Sequence, residues 1–183
     1  MKAIEILVEE HESILKMIQV TETILNTDDV AKVNILHVEN IIDFIKNFAD
    51  KYHHLKEEDV LFLEMEKHGM STKFGPIAVM LAEHEEGRNY IKLAVEGIEK
   101  FKLGETSAFG QIKGNLLNYC TLLTSHIGKE NNILYPMAER ILPANIKLAM
   151  SENFKETNSA TIENEYFDKY LKLVEEFSTI YLK

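Results

Sequence analysis

The sequence contains no tryptophan, one cysteine, three prolines and only two arginines among its 183 residues. A single cysteine, Cys120, excludes a framework of internal disulfides and is typical of proteins from reducing compartments. The scarcity of arginine and the net charge of -10 argue against binding to nucleic acid or to an anionic membrane. No apolar run approaches the ~20 residues of a membrane-spanning helix, and the N-terminus has no signal-peptide pattern. We therefore expect a soluble, cytoplasmic protein.

Helical periodicity dominates the sequence. Apolar residues recur at three- and four-residue spacing almost throughout, and no segment alternates as a strand does. Turn residues, glycine and proline divide the pattern into four long helices, over roughly residues 2–26, 30–67, 76–101 and 106–139. Four long helices with short connections predict an all-α fold, an up-down-up-down four-helix bundle.

We expect one domain over residues 1–183, with the bundle in residues 1–140 and a C-terminal helical extension in residues 141–183. The extension is predicted to contain a short helix from Ala144, a polar loop around residues 157–159, and an amphipathic helix from Thr161 to Leu182. Its apolar residues have helical spacing, and leaving them bare would expose a large apolar patch, so we expect them to pack on the bundle. They are Phe154, Phe167, Tyr170, Leu171, Leu173, Val174 and Phe177.

The chain repeats one pattern of histidine and glutamate at an offset of 73 residues. The segment HHLKEEDVLF, which begins at His53, matches HIGKENNILY, which begins at His126. At the same offset, EHE at residues 10–12 matches EHE at residues 83–85. Each half thus supplies one lone histidine and one His-x-x-x-Glu pair, and the repeat predicts two equivalent half-sites of a dinuclear metal centre.

These histidines and glutamates lie on the apolar stripes of their predicted helices. His11, for example, is in register with Leu7 and Ile14, and each His-x-x-x-Glu pair places an imidazole beside a carboxylate. A lone buried histidine is usually a satisfied core residue, but an unpaired buried carboxylate costs on the order of several kcal/mol. The nearby ammonium groups of Lys56 and Lys129 are expected to extend outward. We therefore interpret the set as metal ligands. They are His11, His53, Glu57, His84, His126 and Glu130.

The ligand types indicate the metal. Imidazole and carboxylate without thiolate suit iron, manganese or zinc. A structural zinc site would be tetrahedral, often with cysteine ligands, and would not need carboxylates that can span two ions. Because each half has one such carboxylate, Glu57 or Glu130, we expect two iron ions, with di-manganese as the second choice.

The motifs resemble those of the hemerythrin-like, or HHE cation-binding, family of di-iron four-helix bundles, over about residues 1–140. They are EHE in the first helix, HHxxEExxLF in the second, EHEE in the third and HxxxENxxLYP in the fourth. The resemblance implies that the six residues bind two irons, with Glu57 and Glu130 as bridges and an oxo or hydroxo group as the third bridge. Invertebrate oxygen carriers have His-x-x-x-His in the third helix, where Met80 stands here, and His-x-x-x-x-Asp in the fourth. The prokaryotic branch of the family is therefore the nearer match.

The second histidine of the helix-2 motif, His54, has two interpretations. Some human and bacterial relatives use an acidic or histidine ligand beside the first motif histidine, which implies a seventh metal ligand. Against this, its repeat partner is Ile127, and it lies about 100° further round an α-helix than His53. That placement favours a residue behind the ligands or at an interface.

The remaining candidates are weaker. Cys120, Tyr52 and Tyr119 are expected to fill the core, although either tyrosine is also placed to tune the polarity or redox properties of a pocket. His37 and His68 lie away from the motifs and are expected on the surface.

Three functions follow in order of preference. The first is binding of dioxygen or a related small oxidant, for sensing, storage or detoxification. The second is an enzyme that reduces peroxide or nitric oxide, for which a redox partner protein would supply electrons. The third is iron storage or iron–sulfur repair. In each case we expect a small diatomic or peroxide ligand, or iron itself, and no nucleic-acid or membrane partner; the oligomeric state is open.

Overall fold

The computed structural model describes residues 2–159 and 161–182, with side chains except those of residues 155–166. The helices of these residues form the predicted bundle, α1 to α4, with an appended helical segment, α5 and α6. Their bounds are α1 Ala3–Leu25, α2 residues 35–67, α3 Pro76–Lys102, α4 residues 109–141, α5 Ala144–Ser159 and α6 Thr161–Tyr181. None of the described helices has the length and apolar composition that crossing a membrane would require.

Helix α2 begins later than the sequence predicted. We expected it to begin at about residue 30, but Asp29 caps a short 3-10 turn, Val30–Lys32, by accepting a hydrogen bond from the amide of Ala31. The true N-cap is Asn34, whose side-chain oxygen accepts from the amide of Leu36 at 3.1 Å. Two adequate capping residues lie five positions apart, and the short-range pattern does not distinguish them.

Helices α2 and α4 both contain segments of π-helix, which the periodicity did not reveal. In α2 these are Ile45–His54 and Glu57–Leu61, and in α4 the segment is Glu130–Leu134. The second and third stand at the 73-residue offset from each other and begin at the two predicted bridging glutamates. Wide turns of this kind are rare and are concentrated at functional sites.

The apolar core has two parts, separated by the layer that contains the predicted ligands. One cluster includes Ile14, Ala49, Ile91 and Ile127, and the other includes Leu7, Leu61, Met80 and Leu134. Each long helix contributes to both clusters. Along each helix the predicted ligands lie where one contribution gives way to the other, so they lie in the interior of the bundle.

The extension packs on the bundle, mainly against α1. Of the seven residues predicted to pack, Phe154, Tyr170, Val174 and Phe177 are buried, and Phe167, Leu171 and Leu173 are half-buried. The predicted packing is thus confirmed. Tyr170 also donates a hydrogen bond to Asp43 of α2 at 2.9 Å.

Three expectations were wrong, one about the extension and two about histidines of the bundle. The polar loop around residues 157–159 is helical, because α5 continues to Ser159. Residues 144–159 contain no glycine or proline, and polar composition alone does not end a helix. His37 is half-buried, not on the surface, since its ring packs on Phe177 and its Nδ1 lies 2.5 Å from the Tyr181 hydroxyl. His68 is also half-buried, with its Nδ1 2.8 Å from the Glu64 carbonyl oxygen.

Candidate metal centre

The structure brings the six predicted ligands and His54 together in two groups within the ligand layer. All seven side chains are buried. Group 1 consists of His11, His53, Glu57 and Glu130, and group 2 consists of His54, Glu57, His84 and His126. Within each group the ligand atoms lie within 4.8 Å of one another, so each group could hold a metal ion. The four bundle helices all contribute.

The two glutamates stand between the groups. Glu57 belongs to both, and its Oε2 lies 3.6 Å from the Nε2 atoms of His53 and of His84. Glu130 faces both groups as well: its Oε2 is 3.2 Å from His11 Nε2, and its Oε1 is 3.1 Å from His126 Nε2. Each carboxylate therefore has histidines of the two groups on either side.

Several polar atoms of the ligand layer are placed to bind a cation and not to hydrogen-bond with one another. His53 Nε2, Glu57 Oε2 and both oxygens of Glu130 are buried without a hydrogen-bond partner in the described part of the chain. The Nε2 atoms of His84 and His126 lie 3.0 Å apart. Nitrogen ligands about 2.1 Å from one shared ion are roughly 3.0–3.4 Å apart. The donor set and its spacing thus match a metal site, whereas buried polar groups otherwise pair among themselves.

The pKa directions show how unfavourable the layer is without a cation. Burial and the neighbouring Glu130 raise the pKa of Glu57 well above its usual range. Burial would also raise the pKa of Glu130, but His11 and His126 lower it well below that range. Burial lowers the pKa of His53 well below 6.5 and that of His54 to about 3. These two imidazoles are therefore neutral at neutral pH, which is the form that binds metal.

Four of the histidines direct Nδ1 to a side-chain oxygen outside the ligand layer. The pairs are His11 with Asn131 at 2.8 Å, His53 with Glu10 at 2.9 Å, His84 with Glu58 at 2.6 Å and His126 with Glu83 at 2.8 Å. When Nδ1–H donates to such an oxygen, Nε2 carries no proton and can accept a metal. These outer partners repeat as well, since Glu10 corresponds to Glu83 and Glu58 to Asn131 at the 73-residue offset.

The two lysines of the repeated motif support these outer glutamates. The ammonium groups of Lys56 and Lys129 contact Glu10 and Glu83, respectively. We expected both lysines to extend outward, and this is wrong for Lys56, which is only 4% exposed. The carboxylate of Glu10 pairs with the ammonium group and makes its burial tolerable.

Group 2 has additional polar contacts that sequence reasoning missed. His54 Nδ1 lies 3.5 Å from Asp50 Oδ1, and Arg88 Nη2 pairs with both Asp50 Oδ1 at 2.8 Å and Glu58 Oε1 at 2.7 Å. One guanidinium group therefore connects the outer partners of His54 and His84. The four-residue spacing of Asp50 and His54 was the available signal for the first of these contacts.

Group 1 has an additional hydroxyl group. Tyr135 donates a hydrogen bond to Glu57 Oε1 at 2.7 Å, and its ring stacks on that of His11 at a centroid distance of 5.5 Å. Its hydroxyl oxygen is 3.4 Å from His11 Nε2. The repeat partner of Tyr135 is Phe62, which has no hydroxyl to offer group 2.

The remaining candidates lie outside the two ligand groups. Cys120 is 1% exposed, and burial raises the pKa of its thiol to about 12. Tyr52 stacks on Phe48 and lies under the Lys56 ammonium group. Tyr119 is buried beside Cys120 in the same cluster.

Comparison with known proteins agrees with this geometry. No curated protein and no solved structure matched the chain significantly. The family profile described as the hemerythrin HHE cation binding domain matches residues 2–138, about three quarters of the chain. This span contains every residue of both groups and all of their outer partners. The chain belongs to the hemerythrin HHE cation-binding domain family.

Proposed function

We propose that this protein holds two iron ions and binds dioxygen or a related small oxidant, for sensing, storage or detoxification. In this proposal group 1 binds one ion and group 2 the other, with Glu57, Glu130 and an oxo or hydroxo group between them. The observation that carries the proposal is the pair of buried carboxylates, each flanked by histidines of both groups. Imidazole and carboxylate together favour iron, with manganese as the second choice.

A bridged pair of irons supplies reversible electron exchange with a small oxidant. The chain's contribution is to hold the ligands and to leave room for that oxidant. Group 1 provides two histidines and group 2 provides three; Glu57 belongs to both groups, and in this proposal Glu130, which faces His11 and His126, is shared as well. Group 1 therefore has one protein ligand fewer, and we assign the external ligand to that side. The apolar clusters above and below the layer enclose it along the bundle axis.

A second candidate is reduction of peroxide or nitric oxide, and Tyr135 is the observation that favours it. Reduction of either molecule consumes protons, and the Tyr135 hydroxyl is held beside Glu57 and His11 in group 1. Burial and the nearby Glu57 carboxylate raise the pKa of Tyr135 well above 10. The tyrosine thus keeps its proton until a stronger base appears next to it. A redox partner protein would restore the electrons.

Optical spectroscopy of the iron-loaded protein tests the first proposal and separates it from the second. The protein is reduced without oxygen, and spectra are taken before and after addition of dioxygen and then of hydrogen peroxide. A charge-transfer band that appears with dioxygen and disappears on its removal supports reversible binding. Repeated consumption of peroxide that is lost in Tyr135→Phe supports the enzyme. Spectra that respond to neither oxidant contradict both.

We also place the protein in the cytoplasm. Its one cysteine is buried, which suits a reducing compartment.

A further inference from the structure

A cleft of about 420 Å³ opens beside group 2. None of its lining residues belongs to group 1. Three buried histidines, His54, His84 and His126, line it. Most of the wall surface that faces the cleft is apolar. The apolar lining residues include Ile45, Ile91, Val95, Leu122 and Leu123. The cleft is therefore an apolar space that reaches the second ligand group from outside.

The repeat is broken at one position in the wall of the cleft. Gly87 lines it one turn after His84, and the residue at the 73-residue offset is Ile14, which is buried in the core one turn after His11. The same helix face thus carries a bulky side chain beside group 1 and no side chain beside group 2. A Cβ added to Gly87 would lie 3.3 Å from the Tyr119 ring, so even alanine would press on the wall of the cleft.

The size of the cleft exceeds what a small oxidant needs. A volume of this order is typical of sites for small organic molecules, which occupy roughly 300–1,000 Å³. A diatomic molecule is comparable to a water molecule, whose share of liquid volume is about 30 Å³, and it would leave most of the cleft empty. The shape and lining are therefore those of a site for a larger, mainly apolar molecule.

Two features define the polar part of that molecule. The Tyr119 hydroxyl is buried and has no hydrogen-bond partner among the described residues, although the side chain lines the cleft. Because a buried hydroxyl without a partner is costly, an acceptor on a bound molecule would satisfy it. The charged residues that line the cleft are of both signs, and they favour neither an anion nor a cation. They are Lys46, Arg88 and Lys92 with Asp50, Glu83, Glu96 and Glu99.

We propose that the cleft beside group 2 binds a small, uncharged organic molecule with an apolar body and one hydrogen-bond acceptor, which the Tyr119 hydroxyl recognises. This ligand is distinct from the small oxidant assigned to group 1. It contacts the histidines of group 2 from the outside and requires no chemical step of its own.

The test measures binding of two matched probes to the full-length protein with its metal in place. Cyclohexanone offers a carbonyl acceptor, and methylenecyclohexane has nearly the same shape without one. Equilibrium dialysis with chromatographic quantification gives the dissociation constants independently of the metal's spectrum. We expect saturable binding of cyclohexanone that is tighter than that of methylenecyclohexane. Tyr119→Phe should weaken cyclohexanone binding by about twofold to tenfold and leave methylenecyclohexane binding unchanged.

The second part of the test uses variants that fill the cleft. Gly87→Ile copies the residue found beside group 1 and should abolish binding of both probes. Gly114→Ile is the matched control, because a Cβ there meets no atom within 4 Å, and it should bind as the natural protein does. If Gly87→Ile does not fold, Leu122→Trp fills the cleft from α4 instead. The proposal is overturned if cyclohexanone shows no saturable binding, if Tyr119→Phe leaves the preference unchanged, or if the filled variants bind normally.

Discussion

The two ligand groups share one scaffold and differ in what surrounds it. In both, a lone histidine and a His-x-x-x-Glu pair stand on neighbouring helices, with a π-helical segment that begins at the glutamate. Group 1 has the buried Ile14 one turn after His11, has the Tyr135 hydroxyl and pairs His11 with a neutral amide. Group 2 has a third histidine, a charged outer network around Arg88 and an open cleft. The repeat explains how the layer is built, and the departures from it explain why its two sides can have different roles.

The strongest test of the shared scaffold is removal of a residue that belongs to both groups. Glu57→Ala should lose both metal ions, because its carboxylate faces histidines on each side. Glu130→Ala should lose nearly as much, whereas His11→Ala should lose only the ion of group 1. Metal analysis of the three variants, purified in parallel and checked for helicity by circular dichroism, measures the difference. Equal metal content in all three would contradict the assignment of the glutamates as bridges.

A smaller effect is expected from removing the histidine that only group 2 has. His54→Ile introduces the residue type of its repeat partner, Ile127, and should release the ion of group 2 while the ion of group 1 stays bound. The reason is that His54 lies with His84 and His126, not with His11 and His53. Metal content and the optical spectrum report the loss. If the metal content and the spectrum stay as in the natural protein, His54 is not a ligand, and the two groups have the same number of histidine ligands.

The outer partners should give the smallest and most selective change. Glu58→Gln removes a charge behind His84, and its match at group 1 is already the amide of Asn131. We expect metal affinity to fall about 10- to 100-fold at group 2 only. Asn131→Asp makes the reverse exchange at group 1 and should strengthen binding there. Competition with a chelator of known affinity measures the metal affinity of each group. A changed affinity at the unmodified group in either variant would refute the independence of the two groups.

The sequence predicted most of the scaffold because the scaffold follows from local rules. Apolar spacing located the four long helices, and the positions of His11, His53, His84 and His126 on apolar stripes brought them inside. The 73-residue repeat predicted a paired site. These features depend on helix geometry and on the cost of burying a carboxylate, both of which can be evaluated from a single chain.

What the sequence could not predict depends on departures from regular helix geometry and on long-range contacts. The assumption of a regular α-helix put His54 about 100° from His53, but the segment Ile45–His54 is π-helical and its wider turn changes the angle between neighbouring side chains. The smaller angle lets both histidines face the ligand layer, where they belong to different groups. Lys56 is buried because Glu10, 46 residues away, lies opposite it. The wall of the cleft depends on the close approach of Gly87 to Tyr119 across two helices. None of these partners is adjacent in sequence.

The central claim is that the two groups together hold two irons, and metal analysis of the natural protein tests it most directly. The protein is produced with adequate iron, purified without chelators and analysed by inductively coupled plasma mass spectrometry against an accurate protein concentration. We expect about two iron ions per chain, one for each group of imidazole and carboxylate ligands. One zinc ion per chain with no iron would contradict it.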